Sequence, residues 1–153
     1  MTALRNLCFA LLVAATPLTW ADDAPARTAL LPAYTTECGA CHVPFPSRLL
    51  PAASWQRLMD NLARHYGTDA SLEAPVAREI GAWLQSHAAT GRRAEEAPAQ
   101  DRITRTAWFL REHDEVPAAD WKRPAIGKPS NCAACHTRAA EGRFGEREIR
   151  IPR

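Results

Sequence analysis

Two short segments constrain this chain more than anything else in it. Cys38-Gly39-Ala40-Cys41-His42 and Cys132-Ala133-Ala134-Cys135-His136 both read C-x-x-C-H, the attachment signature of c-type haem. Two thiols three residues apart lie on one helical turn, within reach of the two vinyl groups on one haem edge. The residue that follows turns an imidazole toward the iron as proximal ligand. Gly39, Ala40, Ala133 and Ala134 are small enough to let the backbone lie close to a macrocycle. A zinc ribbon repeats its C-x-x-C after about 15 to 20 residues, far less than the run from Cys41 to Cys132. A thioredoxin-type pair needs a βαβ context that this helix-prone chain lacks. The reading is therefore two covalently bound haem c groups, attached through Cys38, Cys41, Cys132 and Cys135, with His42 and His136 as proximal ligands.

The chain has 153 residues, 46% of them apolar, with a formal charge of +2, room for one ordinary domain or two very small ones and too little for a multidomain enzyme. Charged residues are 24% and no apolar run approaches the roughly 20 residues of a bilayer span, which excludes disorder and polytopic membrane proteins. A pI near 8.4 leaves no nucleic-acid footprint. Residues 1–21 carry an early Arg5, an apolar stretch from Leu7 to Ala15, a break at Pro17 and Thr19-Trp20-Ala21, the layout of a secretory signal cleaved after Ala21. A membrane anchor would need about twice that run. Cleavage removes Cys8, so every remaining cysteine belongs to a C-x-x-C-H motif. A periplasmic location follows, where unmodified thiols oxidise.

Between the motifs the pattern is helical and interrupted by proline. A short helix is expected over Tyr34 to His42, ended by Pro44 and Pro46. Ser54 is expected to cap a helix striped by Trp55, Leu58, Met59, Leu62 and Tyr66 and closed by Gly67. A third helix starts near Ser71 or Ala74, accepts Pro75 in its first turn and carries Val76, Ile80, Trp83, Leu84 and His87 on one face before Gly91. The charged, aperiodic segment 92–100 reads as a hinge between a haem unit over 22–91 and a second over 101–153. In the second unit Thr104 is expected to cap Arg105 to His113, with Ala107, Trp108 and Leu110 giving apolar surface. Asn131 is expected to cap a haem-bearing helix stopping at Gly142, and the tail Ile149-Arg150-Ile151 to be extended. The second unit has few apolar residues, so the haem must serve as much of its core.

His65, His87, His113 and Met59 are the candidates for the distal side of each iron. His113 is the free histidine after the hinge and follows Trp108-Phe109-Leu110, bulk suited to cover a macrocycle. In the first unit His87 lies centrally on an apolar stripe, yet a histidine at a helix C-terminus often serves the terminal carbonyls. His65 lies at a helix end that can swing toward a metal, and the residues alone leave the two equal. Met59, in mid-stripe, reads as packing.

The residues Tyr34, Glu37-Cys38-Gly39-Ala40-Cys41-His42, Phe45-Pro46, Leu49-Leu50-Pro51, Ser54-Trp55, Leu58-Met59, Leu62 and His65-Tyr66-Gly67 resemble the bacterial dihaem cytochrome c family. Its best-known member partners the oxygen-binding sphaeroides haem protein. The similarity continues through Ile103-Thr104, Trp108-Phe109, His113, the second motif, Gly142-Arg143-Phe144, Glu146, Arg147 and Ile149-Arg150-Ile151-Pro152. The resemblance implies an all-α protein with an N-terminal class I cytochrome c-like domain and a small irregular α-helical C-terminal haem domain. It also implies bis-histidine ligation of both irons. The family's distal position matches His65 and the place of His87 commonly holds Asn, so resemblance favours His65; Tyr66 stands where Phe is more usual. The implied role is a low-potential electron carrier, not an enzyme, working as a monomer between a membrane b-type cytochrome and the soluble oxygen-binding haem protein. The alternatives are a small dihaem subunit of a periplasmic reductase, or a haem enzyme or gas sensor with a dissociable distal histidine. Arg143, Arg147, Arg150 and Arg153 are read as propionate or docking partners, or as a solvated tail.

Overall fold

The computed structural model describes residues 29–95 and 97–153; the signal segment 1–21 and its cleavage after Ala21 lie outside them. Among the described residues there are helices and turns, with no strand beyond two isolated bridges. No described helix is long and apolar enough to cross a membrane.

Three helices build the first half: α1 (Pro32–Gly39), α2 (Ala52–Met59) and α3 (Ala74–Ser86). Each begins with the help of a proline. Pro32 and Pro75 occupy first-turn positions whose missing N–H costs nothing, while Pro51 stands at the α2 cap and its carbonyl accepts from Ser54 N at 3.0 Å and Trp55 N at 3.2 Å. Ser54 therefore is not the cap: it lies inside the first turn, fully buried.

The core is Tyr34, Leu50, Trp55, Ile80 and Leu84, with Ile103 among the partly buried residues packed on it. Burying side chains of this size stabilises by about 1.5–3 kcal/mol each. The α2 and α3 helices pack with Met59 against Gly81, where a Cβ would lie in ordinary contact with Met59 Cγ at 3.7 Å. Met59 is thus a packing residue, as its place in the stripe implies. The two large aromatics also use their polar ends. Trp55 Nε1 donates to Ser47 O at 2.6 Å and the Tyr34 hydroxyl to Phe45 O at 2.8 Å, which pins the proline-rich loop after the first C-x-x-C-H motif against the helices.

The stripe expected to run unbroken to Tyr66 is split. The α2 helix stops at Met59 and Asn61 takes φ −130°; its side-chain oxygen accepts from Arg64 Nε at 3.1 Å. Leu62–Arg64 then form one 3-10 turn, and Tyr66 and Gly67 both have positive φ, 52° and 97°.

The second half is more irregular. The α4 helix (Ala107–Glu112) is capped by Thr106, whose hydroxyl accepts from Phe109 N at 3.2 Å, not by Thr104, which sits in the preceding 3-10 turn. The motif region 131–142 is two 3-10 turns, Cys132–Ala134 and Ala139–Glu141, instead of a capped helix. Asn131 donates its side-chain N–H to Ile126 O at 3.0 Å, and Gly142 ends the region at φ +68°. The tail lies back on the motif: Ile149 bridges His136, and Arg150 N donates to Cys135 O at 2.8 Å.

Segment 98–102 is tied down. Asp101 accepts both forks of Arg57 on α2, at 2.6 and 2.9 Å. These hydrogen bonds hold the Asp101 carboxyl below its ordinary range, the Ser54 hydroxyl assisting and partial burial opposing. A depressed carboxyl pKa stabilises fully above the unfolded value of about 3.9 and loses that contribution as pH falls through the folded value. Asp101→Asn should therefore lower the thermal midpoint at pH 7, and by less as the pH is taken down below the ordinary carboxylate range; a loss that does not shrink with falling pH, followed by circular dichroism, would remove the ion pair from the account.

Candidate haem sites

Four histidines come together as two facing pairs. The rings of His42 and His65 have centroids 6.3 Å apart with planes at 22°, and those of His113 and His136 are 6.0 Å apart at 72°. Each pair joins a motif histidine to one distant in sequence. His42 follows α1 and the Cys41 turn, while His65 caps the 3-10 turn after α2. His113 caps the C-terminus of α4, and His136 follows the 3-10 turn Cys132–Ala134.

The spacing is a test of fit. Two metal–nitrogen bonds of about 2 Å, with about 1.1 Å from each ring centre to its nitrogen, put coaxial imidazoles roughly 6 Å apart. Both pairs match the separation an iron between two imidazoles requires. The thiols lie beside them: Cys38, Cys41, Cys132 and Cys135 are all free of disulfides. Burial pushes Cys38 up to about 11, helped by Glu37 and Cys41, and burial likewise raises Cys132 and Cys135.

Ring nitrogens divide in the same way at both sites. His42 Nδ1 lies 2.7 Å from Val43 O and His113 Nδ1 lies 2.9 Å from Phe109 O. A carbonyl at Nδ1 selects the tautomer whose Nε2 lone pair is free for a metal. Across each gap, His65 Nδ1 and His136 Nδ1 are buried with no hydrogen-bond partner. Burial first, then His42 and Arg102, holds His65 below its ordinary pKa; burial and then His113 does the same for His136. Neutral imidazole is the form that binds metal.

His87 faces no other histidine among the described residues. It terminates α3 much as His113 terminates α4, with its Nδ1 2.8 Å from Trp83 O and its ring stacked on Trp83 at 4.9 Å. Aromatic rings line both pairs: Phe45 stacks on His42 at 4.6 Å, Phe109 on His113 at 4.0 Å, and Phe144 and Trp121 flank the second pair. Trp121 carried no signal in the sequence beyond being an isolated aromatic in a polar, proline-rich run, and Leu110, expected as cover, is exposed. Among the terminal arginines, Arg143 pairs with Glu148 and Arg150 donates to Ile149 O at 2.7 Å.

The sequence profile of the dihaem cytochrome c family matches residues 34–144. The chain belongs to the dihaem cytochrome c family. The dihaem cytochrome c of Shewanella baltica OS155 is 38% identical, with a TM-score of 0.70 over 79% of this chain and 92% of that one. Two structures of the dihaem cytochrome c from Rhodobacter sphaeroides are 40% and 39% identical, with TM-scores of 0.65 and 0.66; they cover 76% and 74% of this chain and 98% and 96% of theirs. No curated protein is significantly similar to the chain. Membership gives this dihaem cytochrome two covalently bound haem c groups and a role in electron transfer, on an all-α fold.

Cofactor attachment can be removed from one site alone. After residue 104 the buried apolar residues among those described are only Phe109, Ile126 and Ala139, none of them in the main core. A variant with Cys132→Ala and Cys135→Ala should lose one haem from its intact mass, and hydrogen exchange should show residues 105–153 unprotected while α1 to α3 stay protected. Native-like protection throughout would show that the second half folds without its cofactor.

Proposed function

We propose that the protein is a low-potential, periplasmic one-electron carrier in which His42 and His65 hold one iron and His113 and His136 the other. The observation that carries this reading is the pair of facing imidazoles at 6.3 and 6.0 Å. Haem c supplies the one-electron ferric/ferrous couple. The residues do the rest: imidazole from both sides leaves no position for a substrate, and two nitrogen donors favour ferric iron more than a thioether would, lowering the potential. Met59, the one candidate thioether, is packed beside Gly81. The arrangement supports a carrier and not an enzyme.

Two haem units, 22–91 and 101–153, joined by 92–100, remain the domain reading. The core of the first and the sparse burial of the second support it. Export by residues 1–21 agrees with thiols destined for thioether bonds. A membrane b-type cytochrome as donor and a soluble oxygen-binding haem protein as acceptor fit weak, partly electrostatic encounters of a monomer.

Three measurements test the ligation. Carbon monoxide should cause no prompt spectral change in the dithionite-reduced protein; rapid binding by either haem would overturn saturated coordination. His65→Ala should abolish the low-spin spectrum of one haem whereas His87→Asn leaves both intact, and the reverse would transfer the assignment to His87. The ring planes add a third. Near-parallel imidazoles split the iron dπ orbitals and near-perpendicular ones do not, so the ferric protein should give one rhombic electron paramagnetic resonance signal and one strongly anisotropic signal with a large g value. Two identical rhombic signals would contradict the 22° and 72° ring pairs.

A further inference from the structure

The turn that carries His65 has few attachments to the rest of the molecule. Residues 63, 64 and 66–69 are exposed, and the turn closes mainly on itself, through Thr68 N to His65 O at 3.1 Å and Ala70 N to Leu62 O at 2.9 Å. Its side-chain tether is Tyr66. The Tyr66 hydroxyl lies 3.0 Å from Gln100 O and 3.1 Å from Asp101 O, one donor shared between two carbonyls. The Arg102 guanidinium sits over the same ring at 4.1 Å.

The acceptor side is itself held. Asp101 takes both forks of Arg57, which also donates to Ser54 Oγ at 3.2 Å. Three non-glycine residues with left-handed φ meet here: Tyr66 at 52°, Gln100 at 59° and Asp101 at 52°. Such conformations persist where surrounding contacts over-determine them. The helix α2, segment 98–102 and the His65 turn thus form one three-way junction.

From this geometry we infer that Tyr66 is a positioning residue for His65, and that segment 98–102 is a clasp keeping the His65 turn closed over the first haem. The inference rests on His65 being the distal ligand. His65 can leave an iron only if its turn swings outward, and the swing breaks the Tyr66 hydroxyl bond and the Arg102 contact first. The clasp slows the opening through which the first haem would admit an exogenous ligand. Tyr66→Phe is a clean probe because it deletes the hydroxyl and keeps the ring under Arg102. Arg57→Gln frees Asp101 from α2 without touching Tyr66.

The test uses the full, haem-loaded protein, reduced and exposed to saturating carbon monoxide, with binding followed in the Soret region. His65→Ala provides the reference: prompt binding with the amplitude of one haem out of two. Loss of one exposed hydrogen bond should make the slow uptake of Tyr66→Phe about fivefold faster than wild type, converging on the one-haem amplitude, and Arg57→Gln should change the rate in the same direction. Wild-type rates in both variants, with His65→Ala still prompt, would overturn the clasp while leaving the ligand assignment intact. Faster uptake by both haems together would also overturn it, because that is general loosening. A His65→Ala variant with an unaltered low-spin spectrum would instead remove the ligand assignment beneath it.

Discussion

Two imidazoles face each other twice in this chain, across gaps of 6.3 and 6.0 Å that fit the proposed ligation of an iron, and each pair is assembled from separate segments. The motif histidine of each pair is placed by covalent chemistry close to its cysteines. The other must be delivered by the fold, His65 by a turn after α2 and His113 by the C-terminus of α4. Separations of 6.3 and 6.0 Å are suited to a metal held between the rings.

The two halves meet this constraint differently. In the first, a core of Tyr34, Leu50, Trp55, Ile80 and Leu84 forms around three helices, and the Tyr34 and Trp55 polar ends lock the loop that leads away from His42. In the second, buried apolar residues are scattered and the backbone is tied by 3-10 turns, the His136–Ile149 bridge and the contact from Arg123 to Pro152 O at 2.8 Å. Phe109, Trp121 and Phe144 lie around the second histidine pair, and a haem held there would supply the apolar centre that this half otherwise lacks. The segment between the halves is fastened rather than slack, since Arg57–Asp101 and Tyr66–Gln100 join α2, the distal turn and the start of the second half.

What could be read from the sequence follows from how local the physics is. The C-x-x-C-H motifs carry their chemistry in five contiguous residues, so two covalently bound haems were legible at once. The α3 start was legible because Pro75 and the apolar stripe agree. Helix ends were less so: Ser54 and Thr104 are good capping residues by type, yet Pro51 and Thr106 take those places because neighbouring backbone bonds decide between adjacent candidates. The choice between His65 and His87 was not legible from periodicity at all. His87 is half-buried at the end of its own helix, and only the tertiary placement of His65 opposite His42 separates the two. The Tyr66 clasp could not be read either, because it joins residues 34 and 35 positions apart through two backbone carbonyls.

Under the proposed ligation nitrogen, and nothing else, surrounds both irons. Iron K-edge X-ray absorption on the oxidised, two-haem protein measures that shell directly. A single first shell of six nitrogens per iron is the expected result; a longer sulfur shell, or an average coordination clearly below six, would contradict the account.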